Sequence, residues 1–325
     1  MEYAVGLLVV AAGFAVLNGA NNGSTLVAIA TTKTSLLPLS AIGLLGGGVV
    51  LGPLMFGTAV ATTLSRKLVD ATGPLGGQTF LAGIGASMAV IAFLAWRRLP
   101  SSLTLATVGG LAGAGLAAGL RLSWVIAALT VLMAVAVPVA TGLITFEISK
   151  GLRAAGSIFG NRGLDRRGLR WFRNATFVMQ SVAYATNDGQ RMLAVLIVAL
   201  RVGGLGGGLS LPLYIVLALA FGLGAVLGTR HMARGTPTRL APADSFERSV
   251  ASAAASLAAF SSAVVGIPVS MTQTTSAALV GAHATVGPRR VRWEEVRKLL
   301  AAWMLTLPAS VAAGAAGSVV LGWAR

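Results

Sequence analysis

Two short polar stretches interrupt a mostly apolar sequence and contain the residue types that bind ions. The stronger one, residues 184–191 (YATNDGQR), holds an acid, a base, two amides and a glycine. The weaker one, residues 18–25 (NGANNGST), is an uncharged copy of it. Superposed, the two place Asn22 opposite Asp188 and a glycine opposite a glycine. This pairing predicts one polar site that is built from two halves.

The composition places these stretches in a membrane protein. Of the 325 residues, 55% are hydrophobic and only 10% are charged, with a mean hydropathy of +0.82. A soluble domain carries roughly a quarter charged residues. Apolar runs of roughly 20 residues, the length that crosses a bilayer as a helix, recur along the chain. Cysteine is absent, which excludes disulfides, thiolate metal sites and cysteine nucleophiles.

The apolar runs predict an all-α integral membrane protein with about ten spanning segments. Those segments cover residues 3–31, 38–64, 78–96, 101–120, 122–148, 174–200, 208–228, 249–267, 272–287 and 299–323. Glycine-rich patches within them allow close contact between helices. We expect the first, sixth and ninth segments to be broken or re-entrant, because polar residues interrupt them.

The basic residues predict the orientation in the cell membrane. The net charge is +16, and with the N-terminus outside most of the 25 lysines and arginines fall in loops on the inner face. Positive loops stay cytoplasmic, so both termini are expected outside. Residues 150–173 then form a basic cytoplasmic linker, interpreted as a solvated loop that touches anionic lipid headgroups. A regulatory or nucleic-acid site is the alternative for this linker.

The linker divides the chain into two similar halves, residues 1–149 and 174–325. Each half holds five segments, an odd number, so the second half must enter the membrane from the opposite side. Residues 99–104 (LPSSLT) in the fourth segment match residues 267–272 (IPVSMT) in the ninth. Inverted repeats with interrupted segments are typical of secondary transporters, which bind their substrate at the interruptions near the midplane.

Several motifs resemble those of one transporter family. Residues 186–191 (TNDGQR) follow its TNDAQK pattern with Arg for Lys, and residues 268–274 (PVSMTQT) follow its PVSTTHT pattern with two departures. Residues 291–293 (VRW) and 302–308 (AWMLTLP) are similar to its C-terminal segment. In this order, and over nearly the whole chain, the motifs resemble the inorganic phosphate transporter (PiT) family, of the bacterial low-affinity phosphate/sulfate permease type.

Three departures from the family pattern concern the site. The family usually has an acid where this chain has Asn22, which removes one negative charge. The family histidine of the serine-threonine motif is Gln273 here, and the first copy of that motif has Leu105. These changes leave the coupling ion and the choice of substrate open.

A tetrahedral anion that loses its water inside a membrane needs hydrogen-bond donors in exchange. Half-helix N-termini at the interruptions would supply N–H groups and a positive dipole end, and Gly23 and Gly189 would let the backbone approach closely. Hydroxyl and amide side chains lie near the same points. The residues expected to bind substrate are Asn21, Asn22, Gly23, Ser24, Thr25, Ser101, Ser102, Thr104, Asn187, Gln190, Arg191, Ser270, Thr272, Gln273 and Thr274.

Asp188 is the acid expected deepest in the membrane, where a carboxylate must be paired, bound to a cation or protonated. One hypothesis assigns it to cation or proton coupling, with Asn22 and Asn187 as further ligands and Na⁺ at Asp188 and Asn187. The alternative is a structural ion pair with Arg191, three positions on. Arg191 could instead face the anion, because a guanidinium matches oxyanion geometry. The asparagines could equally satisfy backbone groups where a helix is interrupted.

Other polar positions allow more than one role. Glu247 is expected at the inner membrane end in an ion pair beside Arg248, although the resemblance also allows a functional acid there. His231 and His283 show no metal-ligand spacing and are expected to be structural. Gln273 is either a substrate contact or a helix-to-helix hydrogen bond.

The resemblance and the site chemistry together predict a secondary active transporter that imports inorganic phosphate with Na⁺ or H⁺ by alternating access. Sulfate or another tetrahedral oxyanion is the alternative substrate, and a passive anion channel is a less favoured alternative. No ATP-binding or catalytic motif is present, so no enzyme activity and no cofactor other than a sodium ion are expected. The expected partners are the anion, the coupling cation and the bilayer, with no nucleic acid. The resemblance also implies a homodimer.

Overall fold

The computed structural model of the chain is helical throughout the part that it describes. It describes residues 2–31, 36–97, 99, 101–158, 166–205, 210–231 and 245–321. Within these ranges the only β pairing is an isolated bridge between Val69 and Leu122. The all-α class is therefore confirmed, and the physical reason is that a helix satisfies its own backbone polar groups inside lipid. Residues 159–165 of the predicted linker and the basic loop 232–244 lie outside the described residues.

In the described part of the first half there are seven α-helices and two π-helical turns. In chain order these are α1 (Glu2–Asn18), a π-turn (Gly19–Gly23), α2 (Ser24–Thr31), α3 (Pro38–Phe56), α4 (Ala59–Thr62), a π-turn (Thr63–Leu68), α5 (Pro74–Trp96), α6 (Leu103–Ala117) and α7 (Trp124–Ile158). Their positions follow the five predicted segments, with the second segment divided at Gly57.

Where the structure describes it, the second half contains six α-helices, one π-turn and one 3₁₀ turn. It contains α8 (Arg166–Tyr184), a π-turn (Ala185–Gly189), α9 (Gln190–Val202), α10 (Leu211–His231), α11 (Ser245–Val264), α12 (Met271–Ala284), a short 3₁₀ turn (Pro288–Arg290) and α13 (Trp293–Val320). The basic stretch 150–173 is largely helical where it is described, since it forms the end of α7 and the start of α8.

Among the described residues, six helical stretches are long and apolar enough to cross a membrane. They are Val5–Thr31, Pro38–Phe56, Leu75–Trp96, Trp124–Ala155, Leu211–Thr229 and Trp293–Val320, and Leu103–Ala117 is a shorter apolar helix. The chain is thus a multi-pass membrane protein. The other expected spans contain the polar motifs or are short, so the count of ten stays a prediction.

Helix packing is reciprocal between the halves. The α1–α2 segment packs on α10, and the α8–α9 segment packs on α3; likewise α6 packs on α13, and α12 packs on α7. Small residues make these contacts close. A Cβ atom added to Gly52 of α3 would lie 2.6 Å from the Cβ of Ala185, and one added to Gly109 of α6 would lie 2.7 Å from the carbonyl oxygen of Leu307.

The first and sixth segments are not broken, which corrects the expectation from their polar residues. Each continues with right-handed helical backbone angles through its π-turn, which fits one extra residue into the helix. The helix N-termini expected at residues 21–25 and 187–191 are therefore absent there. Two genuine N-termini lie instead at Ser102, before α6, and at Ser270, before α12.

Candidate functional site

The two polar stretches meet in the interior of the protein. The Asn22 side chain donates a hydrogen bond to Asp188 Oδ1 at 2.9 Å, and the Tyr184 hydroxyl donates to Asn18 Oδ1 at 2.6 Å. All four side chains are buried. Asn18 and Asn22 are four positions apart, as are Tyr184 and Asp188. The two side chains of each pair therefore lie on one face of their helix, at the π-turn.

Arg191 lies at the centre of this cluster. Its guanidinium donates to Thr104 Oγ1 at 2.7 Å, to the Val269 carbonyl at 2.9 Å and to Asn187 Oδ1 at 3.0 Å. The same group forms an ion pair with Asp188, with Nη2 2.8 Å from Oδ1. One side chain thus joins the second polar stretch to both serine-threonine motifs.

The ion pair between Asp188 and Arg191 makes the cluster electrically neutral. The two side chains are 0% and 1% exposed, so both charges are fully removed from solvent. Breaking such a pair leaves an uncompensated buried charge, which costs about 3–5 kcal/mol. The ion pair that the spacing of Asp188 and Arg191 allowed is therefore present. A ligand that displaces one of the two partners must balance the charge of the other.

Several polar atoms of the cluster have no hydrogen-bond partner among the described residues. Buried polar groups are nearly always paired, so a concentration of exceptions calls for an explanation. Four are donors, which suit an oxyanion, and two are acceptors, of which the carboxylate oxygen suits a cation or proton. They are Asn18 Nδ2, Asn187 Nδ2, Gln190 Nε2, Arg191 Nε, Asp188 Oδ2 and Gln273 Oε1, together with the hydroxyl of Ser101.

The N-termini of α6 and α12 converge on the same guanidinium. Ser102 caps α6 by accepting from the Leu105 N–H at 3.3 Å, and Ser270 caps α12 by accepting from the Gln273 N–H at 3.4 Å. Thr104 and Val269, which both bond to Arg191, lie beside these caps. The positive ends of two helix dipoles therefore face the region around Arg191, which favours an anion.

Some predicted substrate donors are already used by the backbone. Ser24 donates to the Ala20 carbonyl, Thr25 to the Asn21 carbonyl at 2.9 Å, and Thr274 to the Ser270 carbonyl at 2.9 Å. A hydroxyl that donates its proton in this way can only accept further bonds. In this conformation these oxygens suit a cation better than an anion.

The remaining predicted residues lie around the cluster. Gln190 Oε1 accepts from the Val60 N–H at 2.7 Å, which ties the second stretch to α4. Asn21 donates to Asn22 Oδ1 at 3.4 Å, and the hydroxyls of Ser270 and Thr272 lie 3.0 Å apart. Gly23 and Gly189 are buried within their π-turns.

The sequence did not single out Asn18 and Tyr184 as site residues. Their hydrogen bond crosses between the two halves, one turn away from the bond between Asn22 and Asp188. Because the two residues occupy equivalent positions in the superposed stretches, the alignment itself could have identified them.

A second polar cluster lies at the far ends of α7, α11 and α12. Glu247 forms an ion pair with Arg153, and its Oε2 lies within hydrogen-bond distance of His283 Nδ1, at 3.2 Å. Arg153 also donates to Thr285 Oγ1 at 3.1 Å. Glu247 is therefore in an ion pair, as expected, but its partners come from distant parts of the chain. His283 is structural in this arrangement, and among the described residues no three acids or histidines form a metal-binding group.

The sequence matches the model of one known family. The family described as the phosphate transporter family matches residues 165–314. A Bacillus subtilis (strain 168) protein described as a probable low-affinity inorganic phosphate transporter is 26% identical, over 97% of this chain and 96% of that protein. A Rhizobium meliloti (strain 1021) protein with the same description is 27% identical, over 94% of this chain and 92% of the other.

A solved structure has the same fold. Described as "The sodium-dependent phosphate transporter", it superposes with a TM-score of 0.82, covers 99% of both chains and is 19% identical in sequence. This agreement over 99% of both chains shows that the helices of this protein, including those that contain π-turns, are arranged in a known fold.

Proposed function

We propose that this chain is a member of the phosphate transporter family and that it imports inorganic phosphate across the cell membrane together with Na⁺ or H⁺. The family match over residues 165–314 and the similarity to probable low-affinity inorganic phosphate transporters support this proposal. Its relatives are transporters and not enzymes. The observation that carries the proposal is the buried cluster in which Arg191 joins both halves and is surrounded by donors without partners among the described residues.

Arg191 is the group that we assign to the anion. In the structure its guanidinium is held by Asp188 and by neutral acceptors, and its Nε atom has no partner among the described residues. A guanidinium can bind two oxygens of a tetrahedral anion at once. The amide groups of Asn187 and Gln190, and the dipoles of α6 and α12, would add donors and positive potential around the anion.

Asp188 is the group that we assign to the coupling cation. When Arg191 turns towards an anion, the carboxylate loses its positive partner while it stays buried, at a cost of several kcal/mol. A cation or proton at Asp188 Oδ2 removes this cost. Anion and cation therefore favour each other's binding, which is the requirement for symport. The solved relative is described as sodium-dependent, which supports Na⁺, with Asn187 and Asn22 as further ligands.

Alternating access would act between the two halves, residues 1–149 and 174–325. Reciprocal packing of α1–α2 on α10 and of α8–α9 on α3 supports an inverted repeat. The site lies where the halves exchange contacts, so a rocking motion would expose it to each side in turn. We retain the orientation with both termini outside, the linker cytoplasmic and a homodimer as parts of this proposal.

The test is uptake of labelled phosphate by proteoliposomes that contain the full-length protein. Accumulation that follows an imposed Na⁺ gradient would assign Na⁺, and accumulation that follows a proton gradient alone would assign H⁺. Failure to accumulate phosphate against its gradient would reject symport and favour the passive channel.

Competition by sulfate and arsenate in the same assay tests the substrate. Arsenate has the charge and protonation of phosphate and should compete, whereas sulfate carries no proton at neutral pH. Inhibition by sulfate as strong as that by phosphate would overturn the assignment and favour the alternative, a general oxyanion permease. Asp70 is an exposed acid in a loop outside the site. The substitution Asp70→Asn is therefore the control variant for the uptake assay.

A further inference from the structure

A groove on the membrane-facing side of the protein is lined mostly by residues outside the candidate site, with Gln273 as the residue that the two share. It runs between α7 and α13, with α12 as its floor, and has a volume of about 660 Å³. Its walls are apolar and include Leu143 of α7 and Leu300 of α13. Both side chains are at least half exposed, so this α7–α13 groove opens to the lipid.

The shape of the groove suits one hydrocarbon chain. On α13 the lining begins at Trp293, continues through Leu300 and ends at Leu307. With a rise of about 1.5 Å per residue, these fourteen steps cover roughly 21 Å. The hydrocarbon of one leaflet is about 15 Å thick, half of the bilayer core. A single acyl chain that runs along α13 with some tilt therefore fills the groove from end to end.

The entrance of the groove carries positive charge. Arg289, Arg292 and Arg297 are exposed around Trp293, which is itself half exposed and anchored by a hydrogen bond from its Nε1 to the Pro288 carbonyl at 2.9 Å. The two acids of this stretch, Glu294 and Glu295, are both paired with Lys298. The three arginines thus form a basic rim, which attracts anionic headgroups.

We propose that the α7–α13 groove binds one anionic phospholipid, with an acyl chain between α7 and α13 and its headgroup on the basic rim. The floor of the groove is α12, which packs closely on α7 and begins at Ser270 beside Arg191. A Cβ atom added to Gly142 of α7 would lie 3.0 Å from the Ala277 carbonyl oxygen. The bound chain therefore supports the helix whose N-terminus faces the candidate site.

The test is native mass spectrometry of the full-length protein with added phosphatidylglycerol or phosphatidylcholine that have identical acyl chains. We expect one phosphatidylglycerol per chain, retained about tenfold more than phosphatidylcholine, because basic residues near a headgroup favour the anionic lipid. The double substitution Arg292→Gln and Arg297→Gln should bring the two lipids to equal retention. Equal retention of both lipids by the unmodified protein would overturn the proposal.

The chain offers a matched pair of variants for the groove itself. Leu143→Trp with Leu300→Trp fills the groove, whereas Leu132→Trp with Leu305→Trp places the same side chains on the same helices outside it. The four leucines are similarly exposed, at 64%, 50%, 60% and 53% in that order, which matches the variants for surface hydrophobicity. Only the first variant should lose the lipid.

Two results would contradict the groove assignment. One is equal lipid retention by both variants. The other is a measured mass of two chains for the unmodified protein and of one chain for the groove-filling variant alone. That result would identify a second copy of the protein as the occupant. Circular dichroism and the melting temperature check that both variants fold, and the binding readout does not depend on transport.

Discussion

The two polar stretches occupy equivalent places in the two halves but differ in charge. Both continue a helix through a π-turn, and both point a buried side chain at the other across the interface. The first contributes only amides and hydroxyls, whereas the second contributes Asp188 and Arg191. The first stretch therefore adds neutral hydrogen-bonding groups to the cluster, whereas the second adds both of the charges that the proposed coupling requires.

The largest effect is expected where the charge of the second stretch is removed. In Asp188→Asn the isosteric amide keeps the shape of the site. It leaves no carboxylate that could release Arg191 and bind the coupling cation in its place. Phosphate uptake should fall to background, while the melting temperature of the purified protein stays measurable and helical content is retained. Uptake equal to that of the unmodified protein would reject coupling through this acid.

Arg191→Lys should have the next largest effect, because it keeps the charge and removes the forked geometry. A lysine has three donors on one nitrogen, too few to keep the contacts with Thr104, Val269, Asn187 and Asp188 and also bind an anion. The KM for phosphate should therefore rise roughly tenfold or more through lost charged hydrogen bonds. Saturation curves from the proteoliposome assay measure this rise. Arg201→Lys, at the exposed end of α9, is the matched control and should leave KM unchanged.

Asn22→Asp makes the first stretch resemble the second. The new carboxylate would lie within hydrogen-bond distance of Asp188, and two buried carboxylates need an additional cation or proton. Uptake should therefore depend more steeply on Na⁺ concentration, or on pH if H⁺ is the coupling ion. An unchanged dependence on both ions would show that Asn22 does not face the cation.

Tyr184→Phe tests the neutral bond between the stretches. It removes the hydroxyl that donates to Asn18 and should destabilise the protein by about 1 kcal/mol, as one buried hydrogen bond does. Because no charge changes, the KM for phosphate should stay within about twofold of the original value, a difference of less than about 0.5 kcal/mol. Thermal unfolding in detergent measures the first effect, and a KM shift as large as that of Arg191→Lys would contradict this structural assignment.

The smallest effect is expected far from both stretches, at Glu294. Its carboxylate forms an ion pair with Lys298, four positions on, with Oε1 2.7 Å from Nζ. Both groups are exposed, and solvent screens such a pair. Glu294→Gln should leave uptake and the melting temperature unchanged at neutral pH, which makes it the reference for every variant above.

Much of the fold could be predicted because its signals are local. Apolar runs of sufficient length indicated helices, and the polar stretches were identified by their charged and amide residues alone. The prediction that these stretches meet followed from their superposition and is confirmed by the bond between Asn22 and Asp188. The prediction of broken helices there was wrong. A polar cluster in an apolar run has the same sequence pattern whether the helix ends there or continues through a π-turn.

The contacts of Glu247 with distant residues could not be predicted from its neighbours in the sequence. Arg248 follows it directly in sequence, and this adjacency suggested an ion pair. Packing of α7 and α12 around α11 also brings Arg153 and His283 to the carboxylate. No local pattern connects residues from three helices.

The sequence by itself determined that this chain lies in a membrane, which family its motifs resemble and which side chains could hold ions, since composition and motif order are properties of the chain alone. Only the tertiary structure decided that Arg191 bonds to Thr104 and to the Val269 carbonyl while it neutralises Asp188. The physical reason is that these contacts depend on the positions of α6, α9 and α12 relative to one another in the folded protein. That arrangement is set by the packing of whole helices, which no short stretch of sequence contains.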